Sequence, residues 1–131
     1  MQSKILKAKI VVCAFVIALS ISNCTKKTDL ENQITVKINS IDSETKQRRV
    51  NAFDTVEVRI EGIGYLMKTF SKVGEYIIDS TGSVKIKIDC TEGYTFTVFG
   101  PNLYGSERFT KKEKLKDGQE INIQVIHLEK R

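Results

Sequence analysis

Thr55-Val56-Glu57-Val58-Arg59-Ile60-Glu61 alternates apolar and polar side chains without a break. In an extended chain this puts Val56, Val58 and Ile60 on one side and Glu57, Arg59 and Glu61 on the other. That is the pattern of a strand with one face in a core and one in water. The same period of two recurs on both sides of it. Upstream, Ile34, Val36 and Ile38 alternate with Thr35, Lys37 and Asn39. Downstream, Val84, Ile86 and Ile88 alternate with Lys85, Lys87 and Asp89, and Tyr94, Phe96 and Val98 with Thr95, Thr97 and Phe99. Ile121, Ile123 and Val125 then alternate with Asn122, Gln124 and Ile126. Weaker strand candidates are Val50 to Phe53, Tyr65 to Phe70, Glu75 to Ile78, and one or two within Tyr104 to Lys116. Turn residues stand between them: Asp42 to Lys46, Ser71 to Gly74, Asp79 to Gly82, Glu92-Gly93, Gly100 to Asn102, and the hairpin signal Asp117-Gly118.

No stretch in this part of the chain carries a helical stripe. Strands at roughly 8–12-residue spacing, each with one apolar face, predict an all-β sandwich of about seven antiparallel strands over residues 34–128. The expected core is Val56, Val58, Ile60, Val84, Ile86, Ile88, Phe96, Val98, Ile121, Ile123 and Val125.

Residues 1–33 are of a different kind. Residues 1–9 hold three lysines and no acid, and Ile10 to Ile21 is almost wholly apolar. A basic start followed by an apolar run is the signal-peptide pattern. As a helix the run would rise about 1.5 Å per residue, roughly 18 Å in all, against a bilayer core of about 30 Å. A signal helix that is removed is therefore expected, not a permanent span. Ile21-Ser22-Asn23-Cys24 closes it. This ending resembles the lipobox of bacterial lipoproteins, with Ile21 at the aliphatic position and Asn23 where a small residue is usual. The resemblance implies cleavage between Asn23 and Cys24, acylation of Cys24, and a protein held in the bacterial cell envelope through that anchor. Thr25 in place of aspartate points to the outer membrane. Residues 1–23 are then the signal peptide and 24–33 a polar spacer. An ordinary secretory signal is the alternative, and it would leave Cys24 free to pair with Cys90.

Removing the leader changes the charge balance. The 21 basic side chains fall to 18 against 16 acidic ones, a net of +2 instead of +5. So small and mixed a charge argues against nucleic acid as a partner.

The β domain itself resembles the carboxypeptidase regulatory-like or prealbumin-like domains found in Bacteroidetes envelope proteins. The matching features are the opening segment Ile34 to Lys46, the Val-x-Val strand at Val56 to Ile60 and the Asp-x-x-Gly turn at Asp79 to Gly82. They continue with Tyr94 to Val98 and the Gly-led last strand from Gly118 to Val125. The resemblance implies a Greek-key sandwich serving as a structural or protein-binding module, with no catalysis.

The chemistry-bearing residues are few. His127 is the single histidine, too few for a typical zinc site, so no metal or cofactor is expected. An envelope enzyme would need Cys90 and His127 as a nucleophile–base pair; against it, Cys90 shares the parity of Ile86 and Ile88 and reads as a buried small hydrophobe. The run Lys111-Lys112-Glu113-Lys114-Leu115-Lys116 offers a patch for an anionic partner at Lys111, Lys112, Lys114 and Lys116, or a lysine-protected edge strand. A glycan-binding alternative requires Tyr65, Tyr76 and Tyr104 to converge with those lysines in a concave patch.

Overall fold

The computed structural model describes residues 31–129. The leader, Asn23 and Cys24 lie outside the described residues. Seven strands follow one another: β1 Gln33–Asp42, β2 Thr55–Ile63, β3 Lys68–Ile77, β4 Ser83–Asp89, β5 Tyr94–Gly100, β6 Leu103–Phe109 and β7 Glu120–His127. Among the described residues there is no helix. The strands form one curled sheet in the order β3-β2-β5-β6-β7-β1-β4. β4, β1 and β7 make one layer, and β3, β2, β5 and β6 the other. β7 joins them, pairing with β1 along Glu120 to Val125 and with β6 only at Ile126 and His127.

The apolar faces predicted from the alternation close on one another. Val56, Val58, Ile86, Phe96, Val98, Ile121, Ile123 and Val125 are buried, with Ile88. Ile60 and Val84 are only partly buried at its margin. Val36 and Ile38 of β1 join this core, as do Ile78, Tyr94, Leu103 and Leu115. Phe96 sits at its centre, with the Tyr94 ring 5.9 Å and the Phe109 ring 6.1 Å away, centroid to centroid.

Several expectations are corrected. The strands are not all antiparallel: β1 and β7 run parallel, Ile38 opposite Ile121 and Ser40 opposite Ile123. Tyr65 to Phe70 and Glu75 to Ile78 are not two strands. Lys68 to Ile77 is one strand, with Val73 bulged out where Val58 pairs with Gly74 but Arg59 pairs with Lys72. Val50 to Phe53 is a loop with Asn51 and Phe53 at positive φ. The lysine run is not an edge strand. It forms the loop between β6 and β7, and Leu115 turns inward as a plug of the core. Asp117-Gly118 turns the chain, with Gly118 at φ 78°, but joins no hairpin. The chain leaves β6 there and crosses to β1, Gly118 donating its amide to the Thr35 carbonyl at 2.7 Å. Where β6 passes over β7 the backbones nearly touch. A Cβ on Gly105 would lie 2.3 Å from the Gln124 carbonyl oxygen.

The strand directions sort the loops into two ends. β1 begins at the proximal end, where Gln33 faces Asp89. The β2–β3 tip, the β4–β5 turn and the β6–β7 loop share that end, since Tyr94 pairs with both Ile60 and Phe109. The distal end carries the long loop from Ser43 to Asp54, the turns at Asp79 to Gly82 and Pro101-Asn102, and the end of β7.

Candidate functional site

The distal end is held by a buried polar network. Ser40 continues the inward parity of Val36 and Ile38, and its hydroxyl donates to Asp54 Oδ2 at 2.9 Å. Asp54 is buried at 2% exposure. Arg49 Nε donates to the same oxygen at 2.9 Å, and Arg49 also lies 3.7 Å from Asp42. A buried carboxylate is tolerated only when paired and hydrogen-bonded in this way. His127 Nε2 lies 2.9 Å from Asp42 Oδ2. Asp42 also accepts the backbone amides of Glu44 and Thr45. These bonds, that of His127 foremost, lower the Asp42 pKa to about 2.

The network fixes a loop that would otherwise be costly. Asn51 and Phe53 both take left-handed φ values, 53° and 52°, a conformation rare for a bulky side chain. Arg49 donates its amide to Ser40, Asn51 to Ser80, and Ile78 to Asp54, so the backbone is tied on both sides. The result is a rigid loop from which Val50 and Phe53 project, 59% and 56% exposed.

The proximal end is arranged differently. Ile63, Tyr65, Leu66 and Met67 form the β2–β3 tip, and each exposes three-quarters or more of its surface. The tip turn is closed by the Gly64 amide donating to the Met67 carbonyl at 2.9 Å. At its base Glu61 is buried and paired with Lys68 and with Arg108 Nη2. The Lys68 hydrogen bond is the main reason that its carboxyl lies below the ordinary glutamate range. The Arg108 guanidinium rests 4.9 Å over the Phe70 ring. A groove of about 330 Å³ beside the tip is lined by Gly62, Ile63, Lys68, Lys111 and Lys112.

No family model matches the chain, and no curated protein does.

The predicted residues do not assemble as a catalytic site. Cys90 is half-buried rather than buried, because β4 ends at Asp89 and the chain turns there. Its amide donates to Asn32 at the proximal end, while His127 faces Asp42 at the distal end. The ten residues of β1 separate those positions, about 30 Å at roughly 3.3 Å per residue, so the pair cannot act together. Lys111, Lys112, Lys114 and Lys116 are exposed on the proximal loop, with Lys111 paired to Glu92. The tyrosines do not join them in one patch. Tyr65 is at the tip and Tyr76 packs on the core. Tyr104 lines a shallow groove with Arg59, Phe70 and Thr97. The polar network and the apolar tip escaped sequence reading. The one available signal was the isolated apolar group Ile63 to Met67, preceded by Gly62 and interrupted by Gly64.

Proposed function

We propose that this is a lipid-anchored protein of the bacterial cell envelope, held at the outer membrane through Cys24, whose sandwich is a non-catalytic structural or protein-binding module. The basic and apolar leader ending at Cys24 supports the anchor. The observation that carries the binding role is the distal loop. Buried ion pairing between Arg49 and Asp54 holds it in a strained backbone conformation that presents Val50 and Phe53 to solvent. Strain kept in place by over-determined surroundings is characteristic of functional loops, and an exposed aromatic is a frequent anchor of a protein interface.

Radiolabelled palmitate supplied to cells producing wild type and Cys24→Ala tests the anchor. Label in the wild type alone is expected; equal label, or none in either, contradicts it. A photo-crosslinking residue at position 53 tests the binding role against one at 97 on the open face of β5. Crosslinked species of equal yield from both positions would remove the case for a distal binding surface.

A further inference from the structure

We propose that the β2–β3 tip and the lysines beside it seat the proximal end of the domain on a phospholipid bilayer, so that the distal loop points away from the membrane. The inference deepens the lipid-anchor reading and rests on it. Three observations carry it. The first is composition and exposure. Ile63, Tyr65, Leu66 and Met67 are nearly bare of protein contacts, and contiguous exposed apolar groups mark interaction surfaces. Tyrosine is at home at the membrane–water boundary, where its ring is amphipathic. The second is reach. β2 and β3 stay paired to Ile63 and Lys68, whereas the pairing of β2 with β5 ends at Ile60 and Tyr94. Beyond the last bond to that neighbour, from the Glu61 amide to the Gly93 carbonyl, the hairpin projects by two residues, about 7 Å at roughly 3.3 Å each.

The third observation is position and charge. The described chain enters the domain at the proximal end, where Asn32 accepts the Cys90 amide. Cys24 is eight residues upstream of Asn32, a separation that cannot exceed about 29 Å even fully extended. An acyl chain on Cys24 thus confines the tip to the neighbourhood of the bilayer, where even weak insertion becomes effectively intramolecular. Lys68, Lys111 and Lys112 rim the groove beside the tip. Two acids stand among them, Glu61 paired with Lys68 and Arg108 and Glu92 paired with Lys111, so these four cations, Lys112 included, exceed the two acids by two charges. Lysines around an apolar tip match anionic headgroups around an acyl interior.

The chain contains no tryptophan, so Tyr65→Trp gives a single fluorescent reporter at the tip and Tyr104→Trp a control on the opposite part of the sheet. The mature lipidated proteins are reconstituted into phosphatidylethanolamine–phosphatidylglycerol vesicles, some with brominated acyl chains. The tip reporter is expected to shift to shorter wavelength, to lose at least half its emission to the brominated lipid, and to resist acrylamide. The control indole is expected to behave as in water. Adding Lys111→Gln/Lys112→Gln to the tip variant is expected to weaken its quenching by brominated lipid, more so in anionic than in zwitterionic vesicles. A protein that floats with the vesicles while its tip reporter stays as acrylamide-accessible as the control overturns the seating and leaves the anchor standing. A protein that does not float with the vesicles overturns both. A tip reporter shielded only when other envelope proteins are added would make the occupant a protein and also overturn the proposal.

Discussion

Arg49→Ala should be among the most damaging substitutions outside the apolar core. Asp54 carries its carboxylate at 1% side-chain exposure, and two side chains hold it: Ser40 Oγ and Arg49 Nε donate to Oδ2, each at 2.9 Å, and Arg49 Nη2 donates to Oδ1 at 3.5 Å. Removing Arg49 leaves a buried charge with a single hydroxyl. Breaking a buried pair from one side costs about 3–5 kcal/mol. The Arg49 side chain is itself one-fifth exposed, so water reaches the vacated space and the lower end, about 3 kcal/mol, is expected. With a urea m-value of roughly 2 kcal/mol per molar for a domain of this size, the unfolding midpoint should fall by about 1.5 M. The double variant Arg49→Ala/Asp54→Asn removes the orphaned charge while keeping an acceptor for Ser40, so it should recover about 1 kcal/mol or more. Equilibrium unfolding in urea, followed by far-ultraviolet circular dichroism, measures both. An Arg49→Ala midpoint within about 0.3 M of wild type (about 0.6 kcal/mol at that m-value), or a double variant less stable than the single one, would refute the reasoning.

Acid should destabilise the domain over a defined window. The carboxyls of Asp42, Glu61, Asp79 and Asp89 are all lowered by hydrogen bonds, chiefly from His127, Lys68, Thr81 and Thr91 in turn. Folded values below unfolded ones contribute stability that is complete above the ordinary values of 3.8 and 4.5, and that is lost as pH falls through the folded values, about 2 for Asp42. The thermal midpoint should therefore drop steeply between pH 4.5 and 2, and His127→Ala, by letting the folded Asp42 value rise towards 3.8, should make the Asp42 part of that loss smaller and complete at higher pH; a midpoint flat across the window contradicts this. Gly105→Ala forces a Cβ to 2.3 Å from the Gln124 carbonyl oxygen and should cost about 3 kcal/mol through overpacking. Gly118→Ala meets nothing within 4 Å and is strained only by its φ of 78°, so it should cost about 1 kcal/mol. Equal losses in the two, read from denaturant midpoints, would mean that β6 does not cross β7 as closely as described.

What could be read in advance followed from the physics of burial. β2, β4, β5 and β7 announce themselves because one face of each lies in the core, so apolar side chains recur every second residue. β3 did not, because most of its residues face solvent and only Gly74 and Tyr76 are partly covered. An edge strand with a bulge at Val73 leaves no alternation to read. The parallel pairing of β1 with β7 is equally silent, since the side-chain period is two in either orientation. Leu115 shows the opposite failure. One apolar residue among lysines carries no period, yet it fills the core because the loop closes over it. The distal network joins Ser40, Asp42, Arg49, Asp54 and His127, residues whose roles depend on tertiary proximity. Of these, only Asp42 was legible, as a turn residue. Tyr65 to Met67 of the tip looked like the start of a strand, Tyr65 to Phe70, because these residues are apolar; their exposure depends on the turn, which the glycines at 62 and 64 only hint at.

The lipid anchor, and with it the seating of the domain, depends most on where the mature chain begins and what it carries there. Mass spectrometry of the N-terminal peptide from membrane-extracted protein tests this directly. The expected peptide starts at Cys24 and carries a diacylglyceryl thioether, with the first 23 residues absent. A mature chain that starts elsewhere, or an unmodified Cys24, would contradict it.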